Sequence, residues 1–355
     1  RMKKFRAALP VLALFAAFAA LLCFPQEVSA AVTEGLRLSV SVLIPSLFPF
    51  FICINLTNAL GVTGLLARLF APLMRKIFHV SGAGCTAILC GAVGGYPSGA
   101  LCAASLYREG QISRAEAESL LLFCNNAGPA FLFGAVGAVL GIGTAGCLLL
   151  WAIHLLSALA VGLMSRPKDA PNAAPLPVQR ANASGALVEA VRSAGQAILQ
   201  ITMFVAAFSV LARLLTLASA HILPDGACTV LTGMLELSGG IAALAAMPIA
   251  LRWKLALASL FLGFGGLCVW MQTKAVLAPA GLSGRGMLTA KLAQGLLAAL
   301  MTYFLAPLLP ETVTASTGML PGAFAAGLLA CGGICLGWRK MRVEIPAEIR
   351  YNRET

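Results

Sequence analysis

Few residues in this chain could do chemistry, and they sit in unusual surroundings. Glu236, in LELSGG (235–240), is the only acid within an apolar run of membrane length. A carboxylate at that depth is costly, so it is paired, protonated or functional. It could bind a coupling cation or proton, or a donor on a solute; equally, it could reach an aqueous edge and be solvated. Asn125 and Asn126 precede Gly128 and Pro129 in another apolar run. Their amides can bond carbonyls freed by the proline or read a polar ligand. Tyr96 and Ser98 lie in GAVGGYPSGA (91–100), where Gly94, Gly95, Pro97 and Gly99 make a turn and admit close backbone approach. Ser238 and Gln272 complete the candidate substrate-binding set. His79, His154 and His221 are scattered; His154 reads as a packing residue in a span. None of the 11 Cys forms a CxxC pair, and Cys331 and Cys335 are four apart. No metal-ligand spacing, phosphate loop, HExxH or paired-aspartate arrangement occurs. The sequence therefore calls for no catalytic residue, no metal and no cofactor.

The elements that must position these residues follow from composition. The chain of 355 residues is 59% hydrophobic and 11% charged, with mean hydropathy +0.90. A soluble domain carries about 25% charged residues, so an ordinary soluble globule is excluded. The net charge of +12 comes from short basic clusters between apolar runs, not from one basic face. That is the pattern of cytoplasmic loops, and it argues against nucleic acid as a partner. The expected partners are membrane lipid, a small polar solute and a coupling cation or proton; a homo-oligomer is compatible with the sequence.

Residues 1–33 hold Arg1, Lys3, Lys4 and Arg6, an apolar run from Ala7 to Phe24, and Val28-Ser29-Ala30, which resembles a signal-peptidase site. A retained first span and a cleaved leader both fit, with the span favoured because the rest is membrane-bound. A second span is expected at 36–59, kinked by Pro45 and Pro49. Residues 62–79 carry Arg68, Arg75 and Lys76 at helical spacing among apolar positions, an interfacial amphipathic helix. Residues 82–106 form the first broken segment, expected as a re-entrant hairpin. Ser113 and Glu116 then make a capping box for a helix running through Asn125 and Pro129 to about Val139. Further spans are expected at 145–165, 188–215, 255–273, 288–309 and 317–338, with a flexible linker at 166–187 and a second hairpin at 227–250. The fold class is thus an all-α polytopic membrane protein with about eight spans and two re-entrant hairpins.

Charge decides between hairpins and full crossings. With hairpins, the cytoplasmic side holds 1–6, 61–81, 107–117, 166–192, 274–291 and 339–355. Of the 25 Lys and Arg, only Arg37, Arg213, Arg252 and Lys254 then lie elsewhere. Full crossings would turn the basic loops 107–117 and 166–192 outward, against the positive-inside rule. The hairpin arrangement gives residues 34–165 and 188–310 opposite orientation, an inverted-topology repeat. The stretches 1–33, 311–338 and 339–355 lie outside it, with both termini cytoplasmic.

PSLFPFF (45–51), GAVGGYPSGA (91–100) and EGQISRAEAESLLLFCNNAGPAFLFGAVG (109–137) closely resemble the YlbJ-type sporulation integral membrane proteins. That family belongs to the nucleoside-recognition or Gate-domain group, with the spore maturation proteins, the gate regions of ferrous-iron transporters and, more remotely, the concentrative nucleoside transporters. LELSGG resembles the group's acidic segment, and GLCVWMQT (266–273) its Gly-x-Ser-Val…Gln segment, with Cys268 where Ser is expected. The resemblance implies a bacterial endospore-former membrane protein, made in the mother cell and needed for spore cortex formation. Two functions fit: a carrier whose hairpin tips hold a solute near the midplane, and a non-transporting scaffold for cortex assembly.

Overall fold

The computed structural model describes residues 2–167, 183–219 and 222–308, and among them every regular element is helical. Helix α1 (Met2–Cys23) stops just before Pro25, whose ring disfavours helix in the residue ahead of it. α2 (Pro25–Leu38) takes that proline at its first position and turns the axis by 97°. It continues through one π turn (Ser39–Leu43) into α3 (Ile44–Ala59), so the helix expected over 36–59 begins earlier, at Pro25. The widened turn lies just ahead of Pro45, which has no N–H to give and needs room beside the preceding turn. α4 (Val62–Ile77) exposes Leu65, Leu69 and Leu73 along one face, beside Arg68, Arg75 and Lys76.

The first broken segment is a helical hairpin. α5 (Gly84–Gly94) and α6 (Ser98–Arg108) are joined by Gly95-Tyr96-Pro97, with a cis Tyr96–Pro97 bond. A Cβ on Gly91 would stand 3.2 Å from the Cα of Gly99 and 1.6 Å from the carbonyl oxygen of Cys124. In one straight rod Gly91 and Gly99 would be about 12 Å apart. The second broken segment does the same. α12 will denote Asp225–Leu235 and α13 Leu237–Ala246, and a Cβ on Gly240 would lie 2.1 Å from the Cα of Gly233.

Between the hairpins, α7 (Arg114–Leu121) opens with the expected capping box: Glu116 N donates to Ser113 Oγ, and Ser113 N to Glu116 Oε2 at 2.8 Å. It does not run on to Val139. Residues 122–128 are unwound, and helix resumes only as α8 (Pro129–Phe131), a π turn (Leu132–Val136) and α9 (Gly137–Leu140). Gly128 is extended, as a residue before proline prefers to be. α10 (Gly143–Met164) follows, then α11 (Ala183–Ser219), longer than the expected 188–215. The span expected at 255–273 is two helices, α14 (Leu251–Phe264) and α15 (Gly266–Leu277). The break falls at Gly265 and Gly266, whose φ values of 81° and 78° are left-handed. α16 (Met287–Leu305) includes Lys291, which hydropathy had assigned to a loop.

Four helices among the described residues are long and apolar enough to cross a membrane, five if the bent pair at Pro25 is one span. Of the eight expected crossings, the one drawn through Asn125 to Val139 is interrupted before Pro129. The stretches 311–338 and 339–355, and residues 168–182 of the linker, lie outside the described residues.

The loops expected on one side do meet. Ser81 N donates to Glu116 Oε1 at 2.5 Å, Arg114 donates to Gly281 O at 2.9 Å, and Ser119 Oγ to Ser165 O at 2.7 Å. Glu118 accepts from Ser283 N and Gly284 N at 2.6 and 2.9 Å. Had 82–106 crossed as one helix, Ser81 and Glu116 would be about 30 Å or more apart.

The hairpin packing makes a sharp test. Gly91→Ala puts a methyl into a backbone carbonyl and should abolish accumulation of folded protein. Gly195→Ala, which meets nothing within 4 Å in α11, should be neutral or stabilising by about 1 kcal/mol. Detergent-solubilised yield and melting temperature read both.

Candidate functional site

Four interruptions of helix converge, and that convergence builds the site. At the first hairpin tip, Gly95 packs on Gly128 at the end of the unwound stretch, a Cβ on either coming within 3.0 Å of the other's backbone. The next residue, Tyr96, donates its hydroxyl to Leu262 O at 2.5 Å, in the last turn of α14. A Cβ on Gly265 would lie 3.4 Å from that tyrosine ring, and one on Gly266 would lie 3.2 Å from Leu235 O at the second tip. Both tips therefore rest on successive residues of one break. Beside the first tip, between the unwound stretch, α15 and α16, is a narrow cavity with room for about one water molecule, whose lining includes Tyr96, Asn125, Trp270, Thr273 and Lys291.

The unwound stretch is held by side chains. Asn126 Nδ2 donates to Phe123 O at 2.8 Å, and His154 Nε2 accepts from Ala127 N at 3.0 Å. The carbonyl oxygen of Asn126's amide, Oδ1, accepts from Lys291 Nζ at 3.2 Å and from Gln294 Nε2 at 3.1 Å. Gln294 Nε2 also donates to His154 O at 3.2 Å, which turns its Oε1 toward Lys291 Nζ at 2.7 Å. Asn125 Nδ2 donates to Thr273 Oγ1 at 2.9 Å, while its Oδ1 is buried without a partner. Lys291 is 5% exposed, and among the described residues no carboxylate pairs with it. Its ammonium lies 6.0 Å from the Tyr96 ring centroid.

Of the residues singled out from sequence, Tyr96 and Asn125 line the cavity, and Asn126 lies one layer behind. Ser98 is buried near the first tip with its hydroxyl unpartnered. Glu236 caps α13, accepting from Ser238 N at 2.9 Å and Gly239 N at 2.5 Å, so Glu236 and Ser238 are bonded to each other at the second tip. Gln272 Nε2 donates to Cys268 Sγ at 3.3 Å. Gly94 packs against Ser98, Gly99 against Cys124 O, and Pro97 and Pro129 flank the two first-half breaks. Among the described residues no cluster of His, Cys, Asp and Glu could hold a metal.

Sequence reasoning missed Lys291, Gln294, Thr273 and Trp270, and left His154 without a partner. One signal was present. Lys291 and Gln294 are three apart, so a helix sets them on one face.

This arrangement of paired helical hairpins and broken helices has solved counterparts. The fold is similar to that of the transporter CNTnw in an inward-facing substrate-bound state (TM-score 0.53, 12% identity, 88% of this chain and 86% of that one). It is as similar to a CNTnw variant in an outward-facing state (TM-score 0.54, 14% identity, the same coverage), so the likeness is one of fold and not of a particular state. Residues 40–146 match the Gate family, described as nucleoside recognition. The molecule is thus an integral membrane protein of transporter-like fold. The Sporulation integral membrane protein YlbJ of Bacillus subtilis (strain 168) is 31% identical over 324 residues, covering 81% of this chain and 79% of that protein. This chain belongs to the YlbJ family of sporulation membrane proteins.

The Asn126 bonds predict a stability effect. Asn126→Leu leaves Lys291 with one protein partner in a buried site and should destabilise by about 1–3 kcal/mol. Thr86→Val removes a buried hydroxyl that bonds nothing and should be neutral within about 0.5 kcal/mol. Thermal melts of the purified protein separate the two.

Proposed function

We propose that this protein is a carrier of a small polar solute, bound between two re-entrant hairpins near the middle of the membrane. The observation that carries the reading is the cavity beside the first tip, where Lys291 and Asn125 have unmet bonding capacity. The ammonium has three N–H groups and two protein acceptors. Asn125 Oδ1 has no donor. A solute that satisfies both presents an acceptor, best an anionic oxygen, beside an N–H or O–H. The rings of Tyr96 and Trp270 supply apolar walls.

The inverted repeat supports alternating access. Each half has a hairpin, a broken helix and a long helix in that order. The long helix α16 serves as a ruler, about 28 Å from end to end. The open end of the first hairpin, at Ser81 and Glu116, joins the loops that lead into Met287. The open end of the second, where Lys254 donates to Ala245 O, neighbours Arg252 and its partner Tyr303 near the other end of α16. On this reading the hairpins enter from opposite faces, the termini are cytoplasmic, and the carrier acts in the mother-cell membrane for cortex formation.

Two experiments test this. A Bacillus subtilis strain lacking its YlbJ protein is complemented with this chain, and cortex is scored by electron microscopy. Asn125→Ala and Thr273→Val should keep normal abundance but weaken solute handling about tenfold each, with less cortex; a scaffold would be indifferent to both. In a cysteine-depleted background, Glu109→Cys and Arg285→Cys should label from the cytoplasm, and Ile222→Cys from the opposite side. Labelling of all three from one side sinks the inverted repeat.

A further inference from the structure

Lys291 sits in a setting that resembles an occupied cation site. Two neutral amide oxygens, Asn126 Oδ1 and Gln294 Oε1, converge on its Nζ at 3.2 and 2.7 Å. Neither oxygen is aimed by the lysine alone. The Asn126 amide is turned by its bond to Phe123 O, and the Gln294 amide by its bonds to Asn126 Oδ1 and His154 O. Four groups on three separate segments thus fix both oxygens toward one point. Hard monovalent and divalent cations are held by oxygen ligands of this kind. Neutral amides without a carboxylate suit a single charge.

The remaining charges do not compete for this place. Glu236, the other buried charge near the breaks, is closed onto the backbone of Ser238 and Gly239. Glu116 and Glu118 are committed to Ser81, Ser113, Ser283 and Gly284. An isolated ammonium in a buried site is costly unless its surroundings are built for it. Here they are built from oxygens that would face inward whether or not the lysine were present.

We propose that the Lys291 ammonium is a resident cation: it fills an oxygen cage, formed by Asn126 and Gln294, that would otherwise take a free monovalent cation. The site then has its positive charge without Na+ or K+ from solution. The cage stands independently of the carrier reading; only the consequence that solute binding needs no free cation rests on it.

The test is a cation swap on the full chain in detergent, at constant ionic strength, with sodium, potassium, methylammonium or choline chloride. The wild-type melting temperature should be the same in all four. Lys291→Ala leaves the two oxygens and a space the size of the lost propylammonium group, with room for a small cation at the oxygens. It should melt lower in choline and recover by about 3 °C or more in methylammonium or potassium, saturably. Lys291→Met fills the space with an uncharged chain and should show no recovery. If Lys291→Ala fails to accumulate, the same salts are supplied during solubilisation; recovery of folded protein with methylammonium alone supports the cage. Wild-type protein stabilised by sodium over choline overturns the proposal. So does a Lys291→Ala chain that no small cation improves. No arm uses a transported solute, so the outcome here and the outcome of cortex complementation are separable.

Discussion

Every part of this structure answers one constraint: a helix broken inside a membrane protein frees backbone groups that water cannot reach. Among the described residues four such breaks meet at the site, and each is closed by protein. At Glu236 the carboxylate takes the two N–H groups that open α13. At 122–128 the Asn126 amide takes Phe123 O and the His154 ring takes Ala127 N. At Gly265 the Tyr96 hydroxyl takes Leu262 O. At Gly95–Pro97 the chain closes on itself, Gly95 N to Gly91 O and Ser98 N to Gly95 O. Two of these solutions are linked, because the group that closes the Gly265 break is carried by the first hairpin tip. Tyr96 belongs to one break and serves a second. The meeting of those two breaks therefore serves backbone bonding, and the cavity lies beside it.

Close approach is the second half of that solution. Gly91 and Gly99 admit the Cys124 carbonyl, Gly233 admits Gly240, and Gly263 admits Gly295 where α14 crosses α16. Each contact brings backbones together without side chains between them, the usual device where helices associate in lipid. It also explains how 36 glycines coexist with so much helix.

Much of this was legible in the sequence. Glycine and proline crowding gave both hairpins, because no continuous helix tolerates GAVGGYPSG or LELSGG at such depth. Charge gave the gathering of loops at Ser81, Glu116, Ser165 and Ser283. Even the four basic residues that broke the charge rule have a local reason. Arg37 pairs with Glu34 and Arg213 with Glu27. Arg252 bonds and stacks on Tyr303, and Lys254 donates to Ala245 O. What failed was continuity. Hydropathy averages over a window, so an unwound stretch such as 122–128, itself apolar at Leu122, Phe123 and Cys124, reads as helix. The expected cytoplasmic stretch 274–291 overlapped the span expected at 288–309, because a lone lysine near an apolar run reads as its edge. Only the tertiary partner, Asn126 at a distance of 165 residues, makes that lysine an interior group.

The two buried charges near the breaks are satisfied differently, and this bears on which of them a ligand meets. Glu236 accepts from two backbone N–H groups at the start of α13, where the helix dipole also favours a negative charge. Each of its oxygens already accepts one backbone bond and keeps a further lone pair, so the carboxylate is tied to the second hairpin as a cap. Lys291 is the reverse case. Its acceptors are two neutral oxygens, one of its three N–H groups is unclaimed among the described residues, and it borders the cavity. Binding there adds a bond without removing one. An acid inside an apolar run is the conspicuous feature of the sequence, yet the geometry makes it a fastening for the second hairpin. The inconspicuous lysine at the edge of α16 is the one with an N–H still unclaimed among the described residues.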